Sequence, residues 1–199
     1  MRRGWVTGSW WALFLAATAC HRDARPAADR HPASASVDST LGEPASDDEA
    51  RSAARFTQAF YDWYARQGEK FEVALKASPA VFAPELLAAM RADVAAQARN
   101  RDDVVGLDWD PFLATQDPCD PYRVDRTTRR GDTILVAVTG TCADRQPRPG
   151  PDVIAEVGRF EAHWVFLDFR HAGDAGSLAQ DLANLRRERA ADSARARGR

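Results

Sequence analysis

Residues 122–142 read YRVDRTTRRGDTILVAVTGTC, two β-rich runs, Tyr122 to Thr128 and Thr133 to Cys142, on either side of Arg130-Gly131. Alternating β-branched and aromatic residues flanking a glycine predict an antiparallel hairpin. Gly131 reaches positive φ without steric cost, so Arg130-Gly131-Asp132 reads as a turn rather than as the adhesion triplet it spells. Centring the turn between Arg130 and Gly131 sets Cys119 opposite Cys142. Directly opposed strand residues lie about 4.5 to 5.5 Å apart at Cα, within the range a disulfide tolerates.

Working outward, a second hairpin is expected between Val153 to Val157 and His163 to His171. Simple alternation puts Val165, Leu167 and Phe169 on one face of the last strand and Trp164 and Phe166 on the other. A strand apolar on both faces is central or covered twice. Two helices precede this sheet. Ser46 with Glu49 has the spacing of a capping box, and Ala53, Phe56, Phe60, Trp63 and Tyr64 form an apolar stripe that should stop near Gly68. Pro84 opens a second helix, with Leu86, Leu87, Met90 and Val94 on one face. Ser177 with Gln180 caps a last helix, striped by Leu178, Leu182 and Leu185, and 191–199 reads as a frayed basic tail. The expected fold class is α+β, a curved antiparallel sheet wrapped by helices, over residues 51–190.

The start of the chain carries an address. Arg2 and Arg3 precede an apolar run from Trp10 to Ala19, and small residues lead into Cys20, the three parts of an export signal. The run is far short of the roughly 20 apolar residues of a spanning helix. Ala17-Thr18-Ala19-Cys20 reads as a lipobox, with Ala17 where leucine is usual, so 1–19 is expected to be cleaved and Cys20 acylated. The alternative is an ordinary signal with Cys20 incidental. Cysteine parity favours acylation: of three cysteines, lipidation accounts for one and leaves Cys119 and Cys142 as a pair in an oxidising compartment. From His21 to about Ala45 the chain is Ala, Ser, Pro, Asp and Arg without an aromatic, too polar to bury a core, and 20–50 reads as lipidated cysteine plus flexible linker. His21 rather than Asp after the cysteine points to the periplasmic face of the outer membrane.

Charge removes one class of partner. Lys+Arg 27 against Asp+Glu 29 gives a net −2, without the basic bias of a nucleic-acid binder. Glycine-rich nucleotide loops, a Gly-x-Ser-x-Gly elbow, Cys-x-x-Cys and His-Glu-x-x-His are all missing, so neither catalytic residues nor a cofactor are expected. His163 and His171, at opposite strand ends, read as structural, and no metal is expected. The distinctive segment is Gly106-Leu107-Asp108-Trp109-Asp110-Pro111-Phe112-Leu113. Asp108 and Asp110 could pair for acid–base work or hold a cation, with Trp109 stacking on a ligand. An EF-hand is excluded, since Leu113 stands where glycine is needed. The structural alternative makes the aspartates acceptors for loop N–H groups and Trp109 and Phe112 core plugs.

Phe60-Tyr61-Asp62-Trp63-Tyr64, the Leu107 to Phe112 segment with Gln116-Asp117, and Trp164-Val165-Phe166 before a closing helix together resemble the YbjP-like periplasmic lipoproteins. The resemblance covers about residues 55–190. It implies a cone-shaped, cystatin-like or nuclear-transport-factor-like α+β roll and brings no catalytic residues. Arg159 to His163 departs from that pattern, lacking the turn glycine usual before Trp164. The expected function is that of a non-catalytic, lipid-anchored accessory or binding protein meeting an envelope protein complex, its membrane contact made through Cys20. Tyr61, Trp63, Asp108, Trp109 and Asp110 are the candidate ligand or partner residues. Two other functions compete: a small-ligand or enzymatic pocket inside the cone built on Asp108 or Asp110, and a periplasmic immunity protein.

Overall fold

The apolar stripe of the first long helix determines where the sheet's inner face lies. In the computed structural model the described residues are 47–68, 70–100, 102–116, 118–143, 150–171 and 176–198. Cys20, the signal, the linker as far as residue 46 (Ser46 included) and Asp117 lie outside them, while 47–50, expected as the end of the linker, are helical. All described residues belong to one unit, Asp38–Arg199. The order is α1 (Asp47–Arg66), α2 (Phe71–Ala77), a short 3-10 turn (Pro79–Val81), α3 (Pro84–Arg99), β1 (Tyr122–Arg130), β2 (Thr133–Gly140), β3 (Val153–Phe160), β4 (His163–His171) and α4 (Leu178–Arg197). The strands form an open antiparallel meander, β1-β2-β3-β4, and the class is α+β as expected. No described helix is long and apolar enough to cross a membrane.

Helix α1 lies on β1 and β2 and buries Ala53, Phe60, Tyr61 and Tyr64. Opposite it, Ile134, Val136, Val138, Val153, Ala155 and Val157 project from the two central strands into the same core. Phe60 is the hub: its ring lies 4.8 Å from Phe166, 5.4 Å from Phe112 and 5.8 Å from Phe82. Burying such phenyl groups stabilises by about 2 to 3 kcal/mol each. Both sheet edges are covered by hydrogen bonds. Gln58 of α1 accepts from Val124 N (2.9 Å) and donates to Tyr122 O (3.1 Å), acting as a strand residue beside β1. At β4, Ala83 N donates to Phe166 O (2.9 Å) and Phe82 bridges Phe166.

Two irregularities move the strands from their expected register. The first hairpin turns on Gly131 and Asp132, with Arg130 paired to Thr133 and Gly131 at φ 60°, one residue later than the Arg130-Gly131 centre expected. A bulge between Val124 and Arg126 then takes up one position, so Tyr122 meets Gly140. Cys119 therefore precedes β1, and Cys142 follows β2. They are nonetheless joined, with Cα atoms 4.7 Å apart. In β4, Val157 pairs with Phe166 while Glu156 pairs with Asp168, which leaves Leu167 as the extra residue. The predicted alternation fails there: Phe166 and Phe169 share the core, their rings 4.9 Å apart, instead of facing opposite ways. Leu167 lies over Gly158, where a Cβ would come within 2.7 Å of its side chain. The β3–β4 turn uses Glu161 and Ala162 at φ 48° and 69° in place of glycine.

Helix α4 carries the expected Ser177–Gln180 capping box, Ser177 N donating to Gln180 Oε1 at 3.1 Å. It does not fray at residue 191 as the composition suggested but continues to Arg197. Alanines of high helix propensity and the Asp192–Arg195 pair favour that continuation.

Candidate functional site

The last two turns of α1 point two tyrosines at the 107–118 loop. Tyr61 is buried and donates to Phe112 O at 2.7 Å, while its ring stacks on Tyr122. Burial first, and the Asp110 carboxyl second, push its hydroxyl well above the ordinary tyrosine range. Tyr64, one turn on, donates to Asp110 Oδ2. The other carboxylate oxygen, Oδ1, accepts from Phe112 N (2.8 Å) and Leu113 N (3.1 Å). Asp110 thus closes a turn over Pro111 to Ala114, and Asp110 N donates to Thr115 O at 3.0 Å to complete it. Burial outweighs the three stabilising hydrogen bonds and raises the Asp110 carboxyl from 3.8 to about 6.

The rest of the loop is held from three sides. On α3, buried Asp93 accepts from Leu107 N (2.9 Å) and from Arg189 of α4 (2.6 Å). Gln97 receives Val105 N (2.9 Å) and Gly106 N (3.1 Å) on its carbonyl oxygen. At the far end Cys119 is tied to Cys142, and Cys119 N donates to Tyr122 OH at 3.2 Å. Trp109 stands edge to face with His171, ring centres 4.4 Å apart, and His171 Nε2 donates to Pro111 O at 3.0 Å.

These supports frame a cleft of about 570 Å³ between the start of α2 and the loop. Lys70, Phe71 and Glu72 line one side, and Asp108, Trp109 and Asp110 the other. Gln116 stands at the rim and donates to Asp108 O at 3.0 Å. Of the sequence candidates, Asp108, Trp109 and Asp110 meet at this cleft. Tyr61 and Trp63 do not line it: the former is committed to Phe112 O, and the latter packs beside Phe60 on α1. Sequence reasoning missed Tyr64 as the partner of Asp110. It also missed Lys70, Phe71 and Glu72, because the second side of the cleft comes from a seven-residue helix too short for a periodic signal. Its one clue was Gly68, at φ 71°, which stops α1 and lets the chain turn back. Among the described residues no group of three or more His, Cys, Asp or Glu side chains is placed to hold a metal ion.

Chemically, the cleft offers an aromatic wall ringed by carboxylates, one ammonium and one amide. Asp110 has the pKa of a group able to exchange protons near neutrality, but both its oxygens already serve the turn. Comparison with family models, curated proteins and solved structures finds no match for this chain.

Proposed function

We propose that the chain is a non-catalytic binding module of the bacterial envelope, exported by its signal, acylated on Cys20 and held at the periplasmic face of the outer membrane, in the manner of the YbjP-like lipoproteins it resembles. The observation that supports the binding-module part of this reading is the filled interior: between helix α1 and the sheet, Phe60, Phe82, Phe112, Phe166 and Phe169 pack ring against ring. Among the described residues the one strongly shifted carboxyl, that of Asp110, holds a turn together. What is left for recognition is the surface, foremost the cleft at Trp109.

The test is a search for turnover by the purified mature chain on esters, phosphate esters, glycosides and peptides, run beside Asp110→Asn. The expected result is no product above background. Turnover that Asp110→Asn abolishes, in a variant that melts like the parent, would replace this reading with an enzymatic one.

A further inference from the structure

We infer that the cleft between α2 and the 107–118 loop binds a neutral oligosaccharide, and that it does so at the opposite end of α1 from Asp47. The ligand class deepens the binding-module reading above and rests on it.

Size and wall chemistry come first. A cleft of about 570 Å³ exceeds what a single sugar ring fills and falls within the roughly 300–1,000 Å³ typical of ligand sites. Sugars present an apolar C–H face bounded by an equator of hydroxyls, so their sites combine an aromatic plane with hydrogen-bonding groups around it. Trp109 and Phe71 supply the aromatic wall. Trp109 is fixed before any ligand arrives, since His171 abuts it and is itself anchored on Pro111 O. A rigid platform spares the entropy of ordering it on binding.

The rim has the right donors and acceptors. Asp108 and Glu72 are exposed carboxylates, each able to accept two hydroxyl protons, and neither is ion-paired with any described residue. Lys70 donates only. Gln116 commits its amide nitrogen to Asp108 O, which orients its carbonyl oxygen as a further acceptor. The balance of charge then selects among ligands. Glu72, Asp108 and Asp110 against Lys70 repel phosphates and acidic sugars. A cation is poorly served: Asp110 is saturated by Tyr64, Phe112 and Leu113, and Lys70 shares the lining. A neutral polyol satisfies the whole set.

Helix α1 supplies the polarity. Twenty residues at 1.5 Å each span about 30 Å. Near its start, Glu49 pairs with Arg129 and Ser52 accepts from Trp164 Nε1 at 2.9 Å, which puts that end beside both hairpin turns. In its last turn Tyr64 reaches Asp110. The residues that precede Asp47 therefore join at one end, and the cleft opens at the other. A chain anchored through Cys20 would carry its tether at the end of α1 opposite the cleft, leaving the cleft mouth free of the attachment.

The experiment uses the full mature chain with Cys20→Ser, ¹⁵N-labelled and titrated with chitotetraose and, separately, maltotetraose. Saturable shifts should appear for at least one of them at the Trp109 indole and the Thr115 and Gln116 amides. Trp109→Ala should weaken binding at least about tenfold, and Gln116→Ala and Asp108→Ala, at exposed positions that leave the fold intact, several-fold. Raising salt from about 50 to about 500 mM should leave the affinity unchanged, as no ion pair is made. Absence of saturable shifts with both sugars would overturn the inference. So would binding of spermine that salt abolishes and Asp108→Asn removes. Shortening of the oligosaccharide, read by mass spectrometry, would instead overturn the non-catalytic reading while leaving the sugar site in place.

Discussion

Asp110 is pulled two ways. Removal from water favours its neutral form, the three donors around it favour the anion, and burial prevails, with a carboxyl at about 6. The linkage has a definite sign. An unfolded aspartate titrates near 3.8, so between about 4 and about 6 the folded chain holds more proton than the unfolded one. The stabilisation from protonated Asp110 is complete below about 3.8 and is lost as pH rises through about 6. Melting temperatures of the parent and Asp110→Asn from pH 4 to 7 should show the parent gaining on the variant toward the acid end, and parallel curves would contradict the shift. At pH 7 Asp110→Asn keeps an acceptor for the two N–H groups and should cost under about 1 kcal/mol, whereas Asp110→Ala removes the acceptor that Phe112 N and Leu113 N share and should cost about 1–3 kcal/mol. The turn role of Asp110 was legible because an aspartate two residues before an aromatic, with proline between, has few other local uses. Its tertiary partner was not, since Tyr61, Trp63 and Tyr64 share one stripe and only the helix's rotation decides which hydroxyl meets the loop.

At the scale of elements, legibility follows length and regularity. The long helices α1 and α3 and both hairpins follow from their periodicity, and α4 follows at its capped end. The bulges at Asp125 and Leu167 do not, because each is one residue gained against a partner strand the local sequence does not contain. The first turn sits one residue later than its sequence suggests, yet Cys119 and Cys142 still meet, because the chain on both sides leaves the ladder and the two residues come together beyond it. The network of Asp93, Gln97 and Arg189 was also hidden, since it joins positions 96 residues apart. The cysteine link closes a separation of 23 residues and should contribute about 3 kcal/mol in the chain-entropy model. It also holds Pro118, on the cleft rim, to the end of β2. Cys119→Ser and Cys142→Ser should lower the denaturation midpoint equally, and the double variant should be no worse than either. Peptide mapping without reductant should recover the linked pair from the protein as isolated from cells; two free thiols would contradict the link.

For the whole molecule, the proposed anchor and the observed polarity of α1 make a joint prediction. Cys20→Ser should leave the chain soluble or unprocessed, where the parent enters detergent with the membrane fraction, and sucrose gradients should place the parent with the outer membrane. A variant still attached to membrane would remove the acylation premise. In the proposed reading the stretch between Cys20 and Asp47 serves as the spacer between anchor and fold. Helix α1 puts about 30 Å between Asp47 and the end of the fold where the cleft lies. The cleft should then work some tens of ångströms from the lipid, and the spacer length should matter for reach but not for recognition. Deleting residues 24–43 tests that separation. In solution the shortened chain should bind the oligosaccharide probe as the parent does, because no cleft residue is touched. In cells, a photocrosslinker in place of Pro118, on the cleft rim, should lose its adduct in the shortened chain, while the same deletion made in a Cys20→Ser background should not affect crosslinking, since an untethered chain has no reach to lose. Equal crosslinking by the anchored long and short forms would mean that the cleft meets its ligand at the membrane itself, and the orientation drawn from α1 would be wrong.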